Sequence, residues 1–481
     1  MTITSDDSTK ELPLKSIPGG YGFSLLGPIK DRLEYFYFQG QDEFFTKRMC
    51  KFQSTIFRAN MPPGPFISPN SKVIVLLDAV SFPVLFDTSK VEKRNLLDGT
   101  YMPSTSLTGG YRVCAYLDPS EPNHGKLKSF FLSVLASKKN NFIPLFRNCL
   151  SELFTNVEDQ IFDKKEAKFN SLSDDMSFQF VFELLSDQKP SDLKLTSDGP
   201  ALFDKWLLFQ LSPLMTLGLP KFLSLLEDLL LHTFMLPPFL AKSSYKRLYE
   251  AFNSSAASVL DEAERCGIQR DEACHNLIFL AGFNAYGGMK VLFPSLIKWV
   301  GQAGEVLHRQ LADEIRTVVK DEGGVTLASL EKMSLTKSVV YEALRIEPPV
   351  PFQYGKAKED LVVRNHDAKF EIKKGEMIFG YQPFATKDPM VFENPEEFVG
   401  HRFVGDGEKL LKYVYWSNGF ETENPTANNK QCPAKDLVVL VSRLMLVELF
   451  LRYDTYRVEF GKVGLGSSVT IKSLTKATTV Q

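Results

Sequence analysis

"NKQCPAKD", residues 429–436, sets one cysteine between a lysine two positions before it and a proline directly after it. A long apolar stretch, "LVVLVSRLMLVELFL" at residues 437–451, begins just beyond. Cys432 has three readings: a buried thiol, half of a disulfide, or the ligand of a group the chain cannot make for itself. The six cysteines, at 50, 114, 149, 266, 274 and 432, have no regular spacing and no C-x-x-C pair. Neither a disulfide framework nor a zinc site is indicated, and a reducing compartment is expected. The other two readings stay open.

The rest of the composition narrows the class. With 56 basic against 58 acidic residues, the chain gives no reason to expect nucleic acid as a partner. At 44% hydrophobic and 24% charged it reads as an ordinary globular protein. No Gly/Ser linker, repeat or low-complexity tract marks a seam, so residues 1–481 are expected to form a single domain, with 1–13 a flexible N-terminus. Residues 1–28 hold two aspartates, no arginine and no apolar run. A secretory signal, a transit peptide and an N-terminal anchor are therefore not expected, and the expected location is cytoplasmic. Residues 206–240 are the most apolar stretch, but four prolines and the charges of Lys221, Glu227 and Asp228 interrupt them. They read either as core helices or as an apolar mouth resting on a membrane or lipid body.

Most of the chain has helical texture. Residues 277–300, "LIFLAGFNAYGGMKVLFPSLIKWV", and 437–451 are apolar on more than one face, which belongs inside a large protein. Strand texture appears at residues 361–381, where β-branched and aromatic residues alternate between turn signals at Asn365-His366-Asp367 and Lys374-Gly375. The expected fold class is mainly α with a small β subdomain.

Several local patterns follow one another in the C-terminal half. Glu342 and Arg345 in "YEALR" share one helical face, although residues 262–265, "EAER", have the same spacing. Arg402 in "EEFVGHRF" can join that pair from a loop. The cysteine loop and its helix come next. Together this order resembles the haem-thiolate superfamily, the cytochromes P450, and implies that fold. Cys432 fits as thiolate ligand, because a thiolate near a helix N-terminus is stabilised by the amide dipoles. Lys430 would then meet a haem propionate.

Two departures from the superfamily are informative. "GFETENPTANNKQ" lengthens the span from Gly419 to Cys432, and Ala434 stands where glycine is expected. Oxygen-activating members carry an acid and a hydroxyl on the distal helix, whereas this chain reads Ala281-Gly282-Phe283-Asn284-Ala285. Asparagine supplies no proton at neutral pH, so dioxygen activation is not what this site is built for. These departures, with "GTYMPSTSLTGGYRVCAYLDPSEPNH", "FNAYGGMK", "RIEPPVPFQYGKAK" and "GYQPFATKDP", resemble the plant fatty-acid hydroperoxide branch of the superfamily, from about Leu14 onward.

That resemblance implies heme b as the only cofactor, polyunsaturated fatty-acid hydroperoxides as substrates, and neither reductase nor NADPH. It aligns Lys93, His124 and Lys128 with the branch's other haem-contacting positions. It aligns Asn284 with a distal amide that holds the hydroperoxide over the iron. The O–O bond then breaks homolytically and the alkoxyl radical closes to an epoxyallylic radical. Loss of an electron and a proton gives an allene oxide, whereas return of hydroxyl gives a hemiacetal that falls apart into an aldehyde and an oxo-acid. Leu97 stands where allene oxide synthases resembling this chain carry phenylalanine, and "GFNAYGGMKVLFPSL" at residues 282–296 and "QCPAKDL" at 431–437 resemble the lyases, so the expected activity is a hydroperoxide lyase acting on 9- and/or 13-hydroperoxides. Allene oxide synthase, epoxyalcohol synthase and divinyl ether synthase are the alternatives. A haem-binding lipid-particle protein with little turnover is a more distant one.

Overall fold

Residues 277–300 have no polar face to give to water, and in the folded chain most of them lie inside. In the computed structural model, which describes residues 11–97, 99–186, 188–193, 195, 198–464 and 466–478, they sit within a helical run, Arg270–Asp321. The run joins helix Arg270–Phe279, a π-helical segment Leu280–Tyr286 and helix Gly287–Asp321. Helices Phe142–Lys164, Phe169–Ser186 and Lys435–Arg452 pack around it. Phe146 brings its ring to 4.8 Å from Phe180 and 5.9 Å from Phe293, centre to centre. Burying each ring contributes about 1.5–3 kcal/mol. The central run is long and apolar enough to cross a membrane, but 61% of its most apolar window is buried inside the protein, as in a core helix.

The alternating stretch forms strands Leu361–Arg364, Lys369–Ile372 and Met377–Tyr381, as its pattern predicts. Asn365 Oδ1 accepts from the amides of Asp367 and Ala368 at 2.9 and 2.8 Å, which closes the first turn. Gly375 makes the second at φ 86°, where a β-carbon would be strained. Met377–Tyr381 is the middle of a five-stranded sheet ordered Ile56–Asn60, Lys72–Leu76, Met377–Tyr381, Phe352–Ala357, Val91–Glu92. It runs parallel to Lys72–Leu76 with Val75 opposite Phe379. A further sheet pairs Tyr453–Lys462 with Ser467–Lys476. The architecture is thus mainly α with small sheets. Of the stretch expected to be flexible, residues 1–10 lie outside the described residues, while the Pro13 carbonyl accepts from the Lys369 amide at 2.9 Å.

Residues 206–240 divide between their two readings. Helix Gly199–Leu211 buries Phe203, Trp206 and Phe209, and the Trp206 indole donates to the Leu107 carbonyl at 2.8 Å. Beyond it, Phe222 is 83% exposed, Phe239 71%, and Leu225, Leu226, Leu229, Leu230 and Phe234 also face outward. Buried Arg32 ties this rim to the N-terminal segment, donating to Asp228 Oδ2 at 2.6 Å and to the carbonyls of Pro63 and His232 at 2.7 and 2.6 Å.

His232 lies flat on Phe36, 4.1 Å between ring centres, with Nδ1 3.0 Å from the Pro213 carbonyl. Burial holds its pKa down to about 4 from 6.5, and nearby Arg32 pushes the same way. Between those values the unfolded chain binds a proton that the fold refuses, so stability rises with pH across that window. We predict that His232→Phe, which keeps the stack, flattens the loss of unfolding free energy between pH 6.5 and 4 by up to about 3 kcal/mol in denaturant titrations. Equal slopes would exclude the histidine as the cause.

Candidate active site

Helix Ser334–Ile346 carries Glu342 and Arg345 on its buried face. Arg345 Nε and Nη2 donate to the two carboxylate oxygens at 2.7 and 2.8 Å. Arg402, from the expected loop, donates through Nε to the same oxygens at 2.9 and 3.0 Å. The spare guanidinium hydrogens go to carbonyls. Arg345 reaches Thr386, Pro395 and Glu397, and Arg402 reaches Glu393, Asn394 and Glu397. The three-residue ion cluster anticipated from the sequence is present, and it staples residues 386–402 to the helix.

The cysteine loop hangs from the same helix. Tyr415–Trp416 and Gly419–Phe420 form a short hairpin, and Glu421 follows it. Tyr341, next to Glu342, donates its hydroxyl to Glu421 Oε1 at 2.6 Å. The Trp416 indole donates to Oε2, and Lys435, the first residue of helix Lys435–Arg452, donates to the Glu421 carbonyl at 2.9 Å. The Cys432 amide donates to the Ser417 carbonyl at 3.2 Å. Burial raises the Cys432 pKa, while the Ala434 amide and the Lys128 ammonium act to lower it. Ala434 needs no glycine, because its φ is −97°. Gly419 does need to be one, since a β-carbon there would stand 2.7 Å from the Gln431 side chain.

Four basic residues converge beside this loop. His124 and Lys128 lie one turn apart on helix Pro122–Lys138, and both are buried. Lys93, also buried, follows strand Val91–Glu92. Lys430 comes from the loop itself and donates to the carbonyls of Cys114, Ala115 and Leu117 at 3.2, 2.8 and 2.9 Å. Lys93 donates to the Tyr354 carbonyl at 2.5 Å, and Lys128 to the carbonyl and, at 2.9 Å, the Oδ1 of Asn429. Burial lowers the pKa of Lys93 to about 7, of Lys128 and Lys430 to about 8, and of His124 to about 4. Repulsion from Lys430 adds to the shift at Lys93 and His124. The nearby acids are engaged elsewhere. Asp118 accepts from the Lys93 amide and Ser120, and Glu121 from Arg112. This is a cradle of buried cations short of anions.

Asn284 and Ala285 lie in the π-helical segment, where Asn284 is exposed. Such segments recur at functional sites. Gly282 permits close approach here, because a β-carbon would stand 2.7 Å from the Phe203 ring. Tyr286 donates to Asp204 at 3.0 Å, and Lys290 donates to Asp174 and Asp204 at 2.5 and 3.1 Å. These contacts fix the turn that carries Asn284. Leu97 lines a narrow cleft with Tyr101, Gln210, Leu211 and Phe283, the last being Asn284's neighbour. Sequence reasoning missed Glu421 and Gln210. A lone amide among apolar residues in "WLLFQLSP" was the available signal for the second.

Known proteins match along the whole chain. The family description Cytochrome P450 fits residues 306–417. Allene oxide synthase 1, chloroplastic, of Solanum lycopersicum is 59% identical over 97% of this chain and 87% of its own length. Allene oxide synthase 3 of the same plant is 56% identical over 99% of this chain and 97% of its own length. The chloroplastic allene oxide synthase of Arabidopsis thaliana is 54% identical over 99% and 92%. The chain belongs to the hydroperoxide-metabolising cytochromes P450.

One expectation is corrected by these relatives and another is left without support. They are named allene oxide synthases, which favours the alternative of allene oxide synthase over the expected lyase. Several are also named chloroplastic, which overturns the cytoplasmic location expected from residues 1–28. An N-terminal composition read alone carried that expectation, and it is weaker than likeness over 97–99% of the chain.

Cytochromes P450 carry haem, and the residues gathered here fit it. A cysteine heads an apolar helix, and in the cationic cradle beside it Asp118 and Glu121 offset the burial of the lysines only in part. His124 Nδ1 is buried with no hydrogen-bond partner among the described residues. Two propionates of heme b would supply the missing charge. Cys432→Ser is expected to purify without the thiolate-type spectrum of the reduced carbonyl complex. A variant that keeps that spectrum would remove Cys432 as ligand.

Proposed function

We propose that this enzyme converts polyunsaturated fatty-acid 9- and/or 13-hydroperoxides by dehydration to an allene oxide, without dioxygen, NADPH or a reductase. The observation that carries this reading is the Asn284-Ala285 pair in the π-helical turn, on a chain whose relatives are named allene oxide synthases. Bound haem supplies an iron that can cleave an O–O bond already present in the substrate. In this reading Cys432 holds the iron as thiolate, and Lys93, His124, Lys128 and Lys430 hold the propionates. The Asn284 amide donates to the hydroperoxide and orients it. Ala285 offers no hydroxyl to hold a water for proton delivery, which suits a reaction that needs none from dioxygen chemistry. The chloroplastic relatives support a plastid location. The apolar rim at residues 217–240 supports uptake of substrate from a lipid surface.

Leu97 favours a second reading, the lyase. A phenyl ring at this position would present its negative face to a cation developing on the bound chain, and leucine offers no such field. Hydroxyl return, leading to aldehyde and oxo-acid, is then less disfavoured.

Purified enzyme under argon, with no reductant, is expected to consume the conjugated diene of a linoleic hydroperoxide. A requirement for NADPH and a reductase would sink the whole reading. Ketols, formed by hydrolysis of the allene oxide, are the expected products by mass spectrometry, and short-chain aldehydes would select the lyase instead. Leu97→Phe is expected to raise the ketol-to-aldehyde ratio about five-fold, the effect of ~1 kcal/mol of cation–π stabilisation. An unchanged ratio makes Leu97 a plain wall residue.

A further inference from the structure

Helix Gly199–Leu211 ends on a polar side chain that none of the assignments above uses. Gln210 is 0% exposed. Its Oε1 accepts from the Tyr116 hydroxyl at 3.2 Å, and its backbone carbonyl accepts from the Tyr101 hydroxyl at 2.7 Å. Its Nε2 is buried with no hydrogen-bond partner among the described residues. An amide N–H left unpaired in the interior is costly and needs a reason. The residue lines the same cleft as Leu97 and Phe283. The side chains of Leu97, Leu211 and Phe283 there are apolar. The space there is about 10 Å³, room for one water-sized group and not for a ligand chain, so an occupant that meets the free donor brings a single oxygen acceptor into it from a chain lying outside.

We propose that the Gln210 side-chain amide donates a hydrogen bond to the oxygen that stays on carbon in a bound fatty-acid hydroperoxide. Gln210 is then a binding and specificity residue that fixes which carbon lies beside Leu97. This deepens the proposed function and rests on it. Phe283 in the cleft wall is followed directly by Asn284. In this proposal Asn284 serves the hydroperoxide as a whole and Gln210 the oxygen retained. Tyr116 holds the Gln210 oxygen, which leaves the N–H groups as the unpaired side of the amide.

The test uses the haem-loaded full chain and two ligands without an O–O bond, so that neither turns over: a C18 hydroxydiene acid and its parent diene acid. Calorimetric titration of wild type is expected to favour the hydroxy acid roughly five-fold, the effect of one net hydrogen bond. In Gln210→Met, which keeps length and loses the donor, the ratio is expected to fall to about one while affinity for the parent acid changes less than about two-fold. Tyr116→Phe keeps the amide and is expected to keep most of the preference. Should Gln210→Met fail to bind haem, Gln210→Asn, which withdraws the amide by one methylene, is expected to lose the preference as well. A ratio unchanged in the Gln210 variant that binds haem, an equal loss in Tyr116→Phe, or no preference in wild type overturns the inference. Wild type that consumes the hydroperoxide while any of these holds leaves the proposed function standing. Wild type that leaves the diene absorbance unchanged takes down both.

Discussion

Two guanidiniums share the carboxylate of Glu342 where water does not reach: Glu342 and Arg345 are fully buried and Arg402 nearly so. Desolvating three charges is expensive, and it is offset by carbonyls that take all three spare hydrogens of Arg345 and three of the four of Arg402. Those carbonyls belong to residues 386–397, so satisfying the arginines fixes the path of that segment. One residue before Glu342, Tyr341 reaches Glu421 and fixes the start of the cysteine loop. A single helix therefore sets two segments on which the thiol depends. Removing Glu342 would leave two buried cations unpaired, a loss of roughly 3–5 kcal/mol.

The cationic cradle works in the opposite sense. Lys93, Lys128 and Lys430 are held on backbone carbonyls, which satisfy their hydrogens without cancelling their charge. Their depressed pKa values record the cost of burial. A dianion bound among them relieves that cost, so the protein alone is electrostatically incomplete and its stability is linked to occupancy of the site. The Glu342 cluster holds a carboxylate directly between its two guanidiniums, whereas the cradle's lysines rest on carbonyls.

Legibility in the sequence followed the range of the interaction concerned. The strands and turns at residues 361–381 obey local rules, and the structure bears them out. The pair at Glu342 and Arg345 could not be told by spacing from Glu262 and Arg265, which form an exposed surface pair at 2.7 Å. Only order along the chain, and burial contributed by other segments, separates them. The π-helical turn around Asn284 left no periodic mark, because it depends on Gly282 meeting Phe203 and Trp206 across the helix packing. Residues 206–240 gave one apolar signal for two environments, since hydrophobicity does not say which side is covered. Leu97 points toward the lyase, whereas relatives aligned over 97–99% of the chain are named synthases.

The long cysteine loop then has a physical account. A tight cysteine loop relies on glycine to turn, whereas here Pro433 and Ala434 make the turn, closed by the Lys435 amide donating to the Cys432 carbonyl at 3.3 Å, with Ala434 at a negative φ of −97°. The extra residues are pinned by Lys128 from outside and by bonds within the loop. Asn429 accepts from Lys128 and donates to the Asn424 carbonyl, and Gln431 donates to the carbonyls of Phe420 and Glu423. The lysine that holds Asn429 also lowers the Cys432 pKa. Loop shape and thiol acidity thus share one buried ammonium, and a change at Lys128 would move both together.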